Sequence, residues 1–86
     1  MSKISFEELD ARFSKVQSDL PVGSLWRHYK GDMYQLVGIT IIEASLEIGV
    51  LYSPVNHHSL SFMRPLSDWY AKIVKDGETI QRFSKV

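Results

Sequence analysis

From residue 25 to residue 83, short segments rich in β-branched and aromatic residues alternate with turn-forming residues. This alternation constrains the fold more than any other feature, because each segment has the length and composition of a strand. The last connection is centred on Asp76-Gly77, the dipeptide preferred in type I′ hairpin turns. About six short strands joined by tight turns predict a mainly β fold, either a small SH3-like barrel or a strongly bent antiparallel sheet. The predicted strands are 25–29, 34–42, 46–52, 60–64, 70–74 and 79–83.

One amphipathic α-helix is predicted before the strands. Ser5 and Glu8 have the spacing of a capping box, in which the hydroxyl accepts from an early helix amide. Apolar residues then recur every three or four positions, as they do along one face of a helix. We expect this face to pack on the domain, and the alternative is a helix that docks a partner or forms a homo-oligomer. The apolar positions are Phe6, Leu9, Phe13 and Val16.

Pro21 and Gly23 interrupt the helical pattern, because proline disfavours the α region at the residue before it. The length of 86 residues is that of one domain. We therefore divide the chain into an N-terminal helix and linker packed on the domain, residues 1–22, and a small β-barrel-like domain, residues 23–86.

Composition excludes several classes of site and partner. The chain has no cysteine, which rules out disulfides, thiolate zinc sites and a cysteine nucleophile. Its ten basic and ten acidic residues cancel, so it lacks the basic balance that accompanies tight nonspecific binding to phosphate backbones. It also lacks an apolar signal-peptide core and any apolar run near the ~20 residues of a membrane helix, so we expect a cytoplasmic location and no membrane contact.

Residues 26–34 concentrate three aromatics, a histidine and two cations around one glycine. Strand alternation would place Trp26, His28 and Lys30 on one face. Such a row suits an anionic ligand that carries a ring, because the indole can stack, the ammonium can pair with charge, and the imidazole can donate or accept. The alternative is that Trp26 and Tyr34 only pack across strands and that Lys30 is solvated.

A second cluster surrounds Arg64, whose planar guanidinium fork suits a carboxylate or phosphate. The neighbouring Pro65 fixes the backbone at this point, and a single helical turn after it would present Trp69 inward. Arg64 is equally suited to an internal ion pair with an acidic residue of this chain. The acidic residues considered are Asp32, Glu43 and Asp68.

Neither a metal site nor a catalytic motif is predicted. His57 and His58 are adjacent in a predicted loop, and adjacent side chains of an extended segment point apart, which makes a poor chelate. No nucleophile elbow, phosphate-binding glycine loop or His-Glu-x-x-His helix is present. We therefore predict no cofactor, no metal and no catalytic residue, and the remaining enzyme hypothesis uses His28 as a general base.

The order of these motifs resembles a family of short, mostly bacterial domains known as domain of unknown function sixteen fifty-three. The likeness covers about residues 23–84 and implies a compact, mainly β domain, but it implies no activity, cofactor or partner. Trp26 and Phe62 stand where the family usually has Tyr and Trp, and Ser53 stands where an Arg is frequent. Residues 56–58 replace a glycine-containing loop. The matching motifs are Trp26-Arg27-His28-Tyr29-Lys30-Gly31 with Tyr34, Val50-Leu51-Tyr52, Phe62-Met63-Arg64-Pro65-Leu66 with Trp69, and Arg82-Phe83.

These observations predict a small binding or interaction module that recognises an anionic or nucleotide-like group. Its partner would be an anionic small molecule, a nucleotide or a protein segment. The alternatives are a structural or oligomerising protein without a ligand site, and a small enzyme. The candidate ligand-binding residues are His28, Lys30, Tyr52 and Arg64, with Trp26, Tyr34 and Trp69 as walls.

Overall fold

The computed structural model describes residues 4–86, in which antiparallel strands dominate. Two helices accompany them in this part of the chain, a long one before the first strand and a single turn after the fourth. In chain order the elements are α1 (Phe6–Asp19), β1 (Leu25–His28), β2 (Met33–Ile42), β3 (Glu47–Pro54), β4 (Phe62–Pro65), α2 (Leu66–Trp69), β5 (Lys72–Lys75), β6 (Glu78–Gln81) and β7 (Phe83–Lys85).

The strands form a five-stranded antiparallel sheet, in the order β4-β3-β2-β1-β7, and a separate β5–β6 hairpin. Over residues 4–86 the large sheet has β4 and β7 as its two edges and does not close into a barrel. A β-bulge between Leu36 and Gly38 shifts the register of β2 against β3, and bulges increase the local bend and twist of a sheet. The mainly β prediction is confirmed, and the strongly bent sheet is the alternative that the structure adopts.

The helix α1 begins where the capping-box spacing predicts. The Ser5 side chain accepts a hydrogen bond from the Glu8 N–H over 3.1 Å and thereby caps the first turn. At the other end of the helix Val16 packs against the core, and Leu20, directly after the helix, is buried. The apolar face is unevenly covered, because Phe6 is 86% exposed. Neither helix in the described part of the chain has the length and apolarity needed to cross a membrane.

The β5–β6 hairpin turns at Asp76-Gly77 as predicted. Both residues have positive φ, 52° at Asp76 and 80° at Gly77, which is the requirement of a type I′ turn. The predicted sixth strand, however, is divided. It leaves the hairpin at Arg82, and Phe83 begins β7, which pairs with β1 instead.

The core is built mainly from aromatic rings. Trp69, the last residue of α2, is 1% exposed and stacks on Phe83 with ring centroids 4.0 Å apart. The Trp69 ring also contacts Tyr52 at 5.2 Å and Trp26 at 5.4 Å. The predicted inward placement of Trp69 is therefore confirmed, and α2 covers the same face of the sheet that carries these rings. The buried members of this core are Leu20, Trp26, Leu36, Val50, Tyr52, Trp69 and Phe83.

Candidate functional site

Strand pairing brings most of the predicted site residues to one face of the large sheet. Directly opposed residues of antiparallel strands project from the same face. Residues two apart on one strand also share a face, which joins the pairs to one another. The face therefore presents aromatic residues next to a histidine and an arginine. The opposed pairs are Trp26–Tyr34, His28–Phe83, Leu36–Tyr52, Tyr52–Phe62 and Val50–Arg64.

Phe83 lies at the centre of this arrangement. The His28 ring meets the Phe83 ring edge-on at 5.0 Å, and the Tyr52 ring does so at 5.5 Å. The guanidinium carbon of Arg64 lies over the Phe83 ring, 5.8 Å from its centroid. We call His28, Tyr34, Tyr52, Arg64 and Phe83 the cation–aromatic cluster. Strand alternation alone does not place Phe83 in the site, and the only sequence signal for it is the terminal Arg82-Phe83 of the family resemblance.

Two contacts hold Arg64 in place and engage only part of its guanidinium group. Its Nε donates a hydrogen bond to the Tyr52 hydroxyl over 3.3 Å. One terminal nitrogen, Nη1, lies 3.8 Å from an Asp68 carboxylate oxygen, an ion pair whose side chains are 28% and 58% exposed. Ion pairs this exposed contribute little to the stability of a protein. Because a guanidinium has five N–H donors, those on the two terminal nitrogens remain able to bind an anion.

The hydrogen bonding of His28 fixes the position of its proton. The Lys30 backbone N–H donates to Nδ1 of His28 over 3.2 Å, so the neutral imidazole carries its proton on Nε2. Burial lowers the pKa of His28, and the positive charges of Arg64, Arg82 and Lys30 lower it further, against a smaller opposite effect of the Asp32 carboxylate. At neutral pH His28 is therefore an uncharged donor through Nε2–H.

The same hydrogen bond disfavours His28 as a general base. A base becomes an imidazolium when it takes a proton, and both of its nitrogens must then donate. The Lys30 N–H points at Nδ1 and would oppose a proton there. The arrangement suits a hydrogen-bond donor better than a proton acceptor.

The other predicted residues take different positions around the cluster. Trp26 is buried, and its Nε1 donates to the Ser24 hydroxyl over 2.9 Å, so it supports the site from below. Trp69 is also buried beneath the cluster. Lys30 follows the end of β1, in the turn, and its Nζ lies 5.9 Å from the Tyr29 ring centroid. It acts on the cluster through its charge rather than from the strand face.

Tyr34 connects the cluster with an open hollow. Its ring is T-shaped against Tyr52 at 5.2 Å, and burial and then the Asp32 carboxylate raise the pKa of its hydroxyl. On its other side Tyr34 lines a hollow of about 320 Å³. His28 borders a different hollow, of about 380 Å³, beside β6. Arg64 lines neither of these two hollows, so it is the rings of the cluster that join His28 and Arg64.

No group of three or more His, Asp or Glu residues in the described part of the chain is arranged to hold a metal ion. His57 lines the 320 Å³ hollow and is exposed, as is His58 next to it.

Comparisons with known proteins agree with the resemblance seen in the sequence. The sequence model of a family described as "Protein of unknown function (DUF1653)" matches residues 24–85. A crystal structure of a protein of that family from Bordetella bronchiseptica is similar to this chain, with 26% identity and a TM-score of 0.67. The alignment covers 81% of this chain and 91% of that one. No curated protein matches the chain.

Proposed function

We propose that this chain, which belongs to the DUF1653 family of proteins of unknown function, is a small binding module that recognises an anionic group. One observation carries the proposal: the Arg64 guanidinium and the His28 imidazole both lie against the ring of Phe83, at 5.8 Å and 5.0 Å. Two nitrogen-bearing side chains thus flank one buried aromatic ring, and next to such a water-poor region hydrogen bonds to an anion are stronger than in water.

The donors of this surface are oriented before a ligand arrives. The Tyr52 hydroxyl accepts from Nε of Arg64 and so limits rotation of the guanidinium. The Lys30 N–H holds the His28 ring and leaves Nε2–H as its donor. A preformed pair of donors loses little side-chain entropy on binding, which favours affinity.

Neighbouring positive charges add to the attraction. Arg82 and Lys30, like Arg64, lower the pKa of His28, so their fields reach the imidazole. The positive charges that disfavour a proton on His28 would stabilise an anion bound next to it. Three cations and one carboxylate, Asp32, thus act on the imidazole, a local excess of positive charge in a chain that has no net charge at pH 7.

Titration of ¹⁵N-labelled protein tests the proposal, with inorganic phosphate, nucleotides, short single-stranded oligonucleotides and phosphopeptides as probes. We expect shifts at the Arg64 side chain, at His28 and at Tyr52 for at least one probe, and loss of these shifts in Arg64→Met. The matched control is Arg27→Met, because Arg27 is exposed and lies between Trp26 and His28, on the opposite face of β1. A protein that shows no shifts at these residues with any probe would contradict the proposal.

The second candidate function is self-association through α1, and one observation favours it. Phe6 is 86% exposed beside an apolar groove of about 280 Å³, which Leu9, Phe13 and Ile41 also line. A second copy could place its own Phe6 in this groove, and the absence of net charge removes long-range repulsion between copies. Sedimentation velocity of the wild type and of Phe6→Ser tests this candidate. A concentration-independent monomer would exclude it.

A further inference from the structure

The hollow beside Tyr34 has walls and a rim of different chemistry. Its volume is about 320 Å³, which is within the range of small-molecule sites. Tyr34, Pro54 and Phe62 form apolar walls, and Phe62 is 43% exposed although it is aromatic. Asp32, Asn56 and His57 form a polar rim. The hollow thus combines flat apolar surfaces with hydrogen-bonding groups at one edge.

The loop that carries part of this rim is tied down. The buried Ser53 hydroxyl donates to the Leu60 carbonyl over 2.7 Å, across the base of the loop. The Val55 N–H donates to the Met33 carbonyl over 3.1 Å, which fastens the loop to β2. These bonds hold Asn56 and His57 at the rim, so the hollow is largely preformed.

The polar rim favours a ligand that donates hydrogen bonds. The Asp32 carboxylate only accepts hydrogen bonds, with two oxygens side by side, whereas the Asn56 amide both donates and accepts. Aromatic walls of this kind bind planar rings by stacking. A planar ring with two adjacent N–H donors on one edge would satisfy both features. Among nucleobases, guanine has this edge, formed by its N1–H and its exocyclic amino group.

The hollow borders the cation–aromatic cluster, and Tyr34 belongs to both. Phe62 on the wall of the hollow contacts Tyr52 at 5.8 Å, and the Tyr52 hydroxyl accepts from Arg64. Tyr34, also on the wall, contacts the same Tyr52 ring at 5.2 Å. The Asp32 carboxylate therefore lies at the hollow, where the Asp32 carbonyl also accepts from the His28 N–H over 2.9 Å, and the Arg64 guanidinium lies beyond it at the Tyr52 hydroxyl. One ligand with a donor-bearing ring and an anionic group would match both charged groups in a single orientation.

We propose that the hollow is a base pocket for a guanine nucleotide, with the base against Phe62 and Tyr34, its N–H edge on Asp32, and its phosphate on Arg64. This inference rests on the proposed function, because the cluster supplies the phosphate contacts. Asp32 then has a defined role in selectivity: its negative charge disfavours an anion in the hollow and orients the ligand.

Isothermal titration with GMP, AMP, ribose 5-phosphate and inorganic phosphate tests the inference. We expect GMP to bind about tenfold more tightly than AMP, which is a typical gain from a two-point contact to a base edge. Asp32→Asn should remove this preference while inorganic phosphate binds as well as before or better. The control is Asp76→Asn, which removes a carboxylate from the distant β5–β6 turn and keeps a residue that tolerates positive φ.

A second variant pair tests the aromatic wall. Phe62→Leu should weaken GMP binding severalfold without changing inorganic phosphate binding, because only the base stacks there. The control is Met63→Leu, since Met63 is similarly exposed and is adjacent on β4, on the other face. Equal affinity for GMP and AMP, or unchanged GMP binding in both Asp32→Asn and Phe62→Leu, would overturn the inference but leave phosphate recognition intact. Failure of every probe to bind would overturn both proposals.

Discussion

Trp69 stacks on Phe83, with ring centroids 4.0 Å apart and ring planes 10° from parallel. Both side chains are buried, Trp69 at the end of α2 and Phe83 at the start of β7. The Phe83 ring in turn contacts His28 and lies under Arg64. The floor of the candidate site is therefore a part of the core, so changes to the core should also move the site.

Trp69→Ala tests the contribution of this stack. Loss of a large buried aromatic leaves a cavity and typically costs about 3–5 kcal/mol, which is a large fraction of the stability of a small domain. We expect the free energy of unfolding, measured by urea denaturation, to fall by about this amount. Val74→Ala is the control, because Val74 is 75% exposed and its truncation should change stability by about 0.5 kcal/mol or less. Equal small effects of both substitutions would contradict the packing described above.

The pKa of His28 should depend on Arg64. Burial lowers the pKa of His28 below its ordinary value of 6.5, and Arg64 is the largest of the charges that lower it further. NMR titration should therefore show a pKa below 6.5 in the wild type and a higher pKa in Arg64→Gln. Arg27→Gln is the control and should leave the pKa unchanged. If Arg64→Gln leaves it unchanged as well, the two side chains do not interact as described.

The lowered pKa of His28 also predicts how stability varies with pH. The unfolded chain binds the proton more readily than the folded protein, so unfolding takes up a proton between the folded and the unfolded pKa. The contribution of His28 is therefore favourable above about pH 6.5 and declines as the pH falls through the folded pKa. His28→Gln should remove this part of the pH dependence of the free energy of unfolding. Anion binding should depend on pH in the opposite way. A bound anion favours the protonated imidazole and raises the pKa of His28, so anion affinity should increase as the pH is lowered.

The helix α1 and the β5–β6 hairpin could be predicted because their signals are local. Ser5 caps a helix that begins one residue later, and Asp76-Gly77 turns a hairpin between adjacent strands. The pairing of Phe83 with His28 could not be predicted in this way, because the two residues are far apart in the chain. Which distant strand an edge strand joins depends on packing across the whole domain.

Strand alternation predicted which residues of the candidate site share a face, but not how deeply each is buried. Alternation correctly placed Trp26 and His28 on one face, yet it could not show that α2 would cover Trp26 and leave His28 half-buried. It also assigned Lys30 to that face and the first strand to residues 25–29, whereas β1 ends at His28 and the chain turns there. The hollow beside Tyr34 arises from a loop and two strands that meet only in the folded protein.

Glycines in different backbone conformations should respond differently to alanine. Gly77 has φ of 80°, where a Cβ is strained, so Gly77→Ala should cost about 1–2 kcal/mol. Gly38 does not have positive φ, and a Cβ added there meets nothing within 4 Å. Gly38→Ala should therefore be neutral or stabilise the protein by up to about 1 kcal/mol, because alanine restricts the unfolded chain. Thermal and urea unfolding of the two variants compare them directly, and a larger loss at Gly38 would contradict these conformations.

The Tyr52 hydroxyl should matter more for ligand binding than for folding. Tyr52→Phe keeps the ring in the core and removes only the acceptor for Nε of Arg64, which lies 3.3 Å away. Because the guanidinium is partly exposed and can turn to water, we expect the free energy of unfolding to fall by only about 0.5–1.5 kcal/mol. The freed guanidinium should, however, lose its fixed orientation, and phosphate affinity should fall severalfold. Side-chain ¹⁵Nε relaxation of Arg64 and phosphate titration measure the two effects.

Tyr70→Phe is the matched control for this prediction, because Tyr70 is half-exposed and lies outside the cation–aromatic cluster. It should change neither Arg64 relaxation nor phosphate affinity. If Tyr52→Phe lowers stability but leaves phosphate affinity and Arg64 order unchanged, the hydrogen bond serves the fold alone. Arg64 would then belong to the core, as the structural alternative holds. If phosphate affinity falls while the free energy of unfolding is nearly unchanged, the hydroxyl positions Arg64 for an anion. A hydrogen bond that served only packing would change the free energy of unfolding and leave phosphate affinity unchanged.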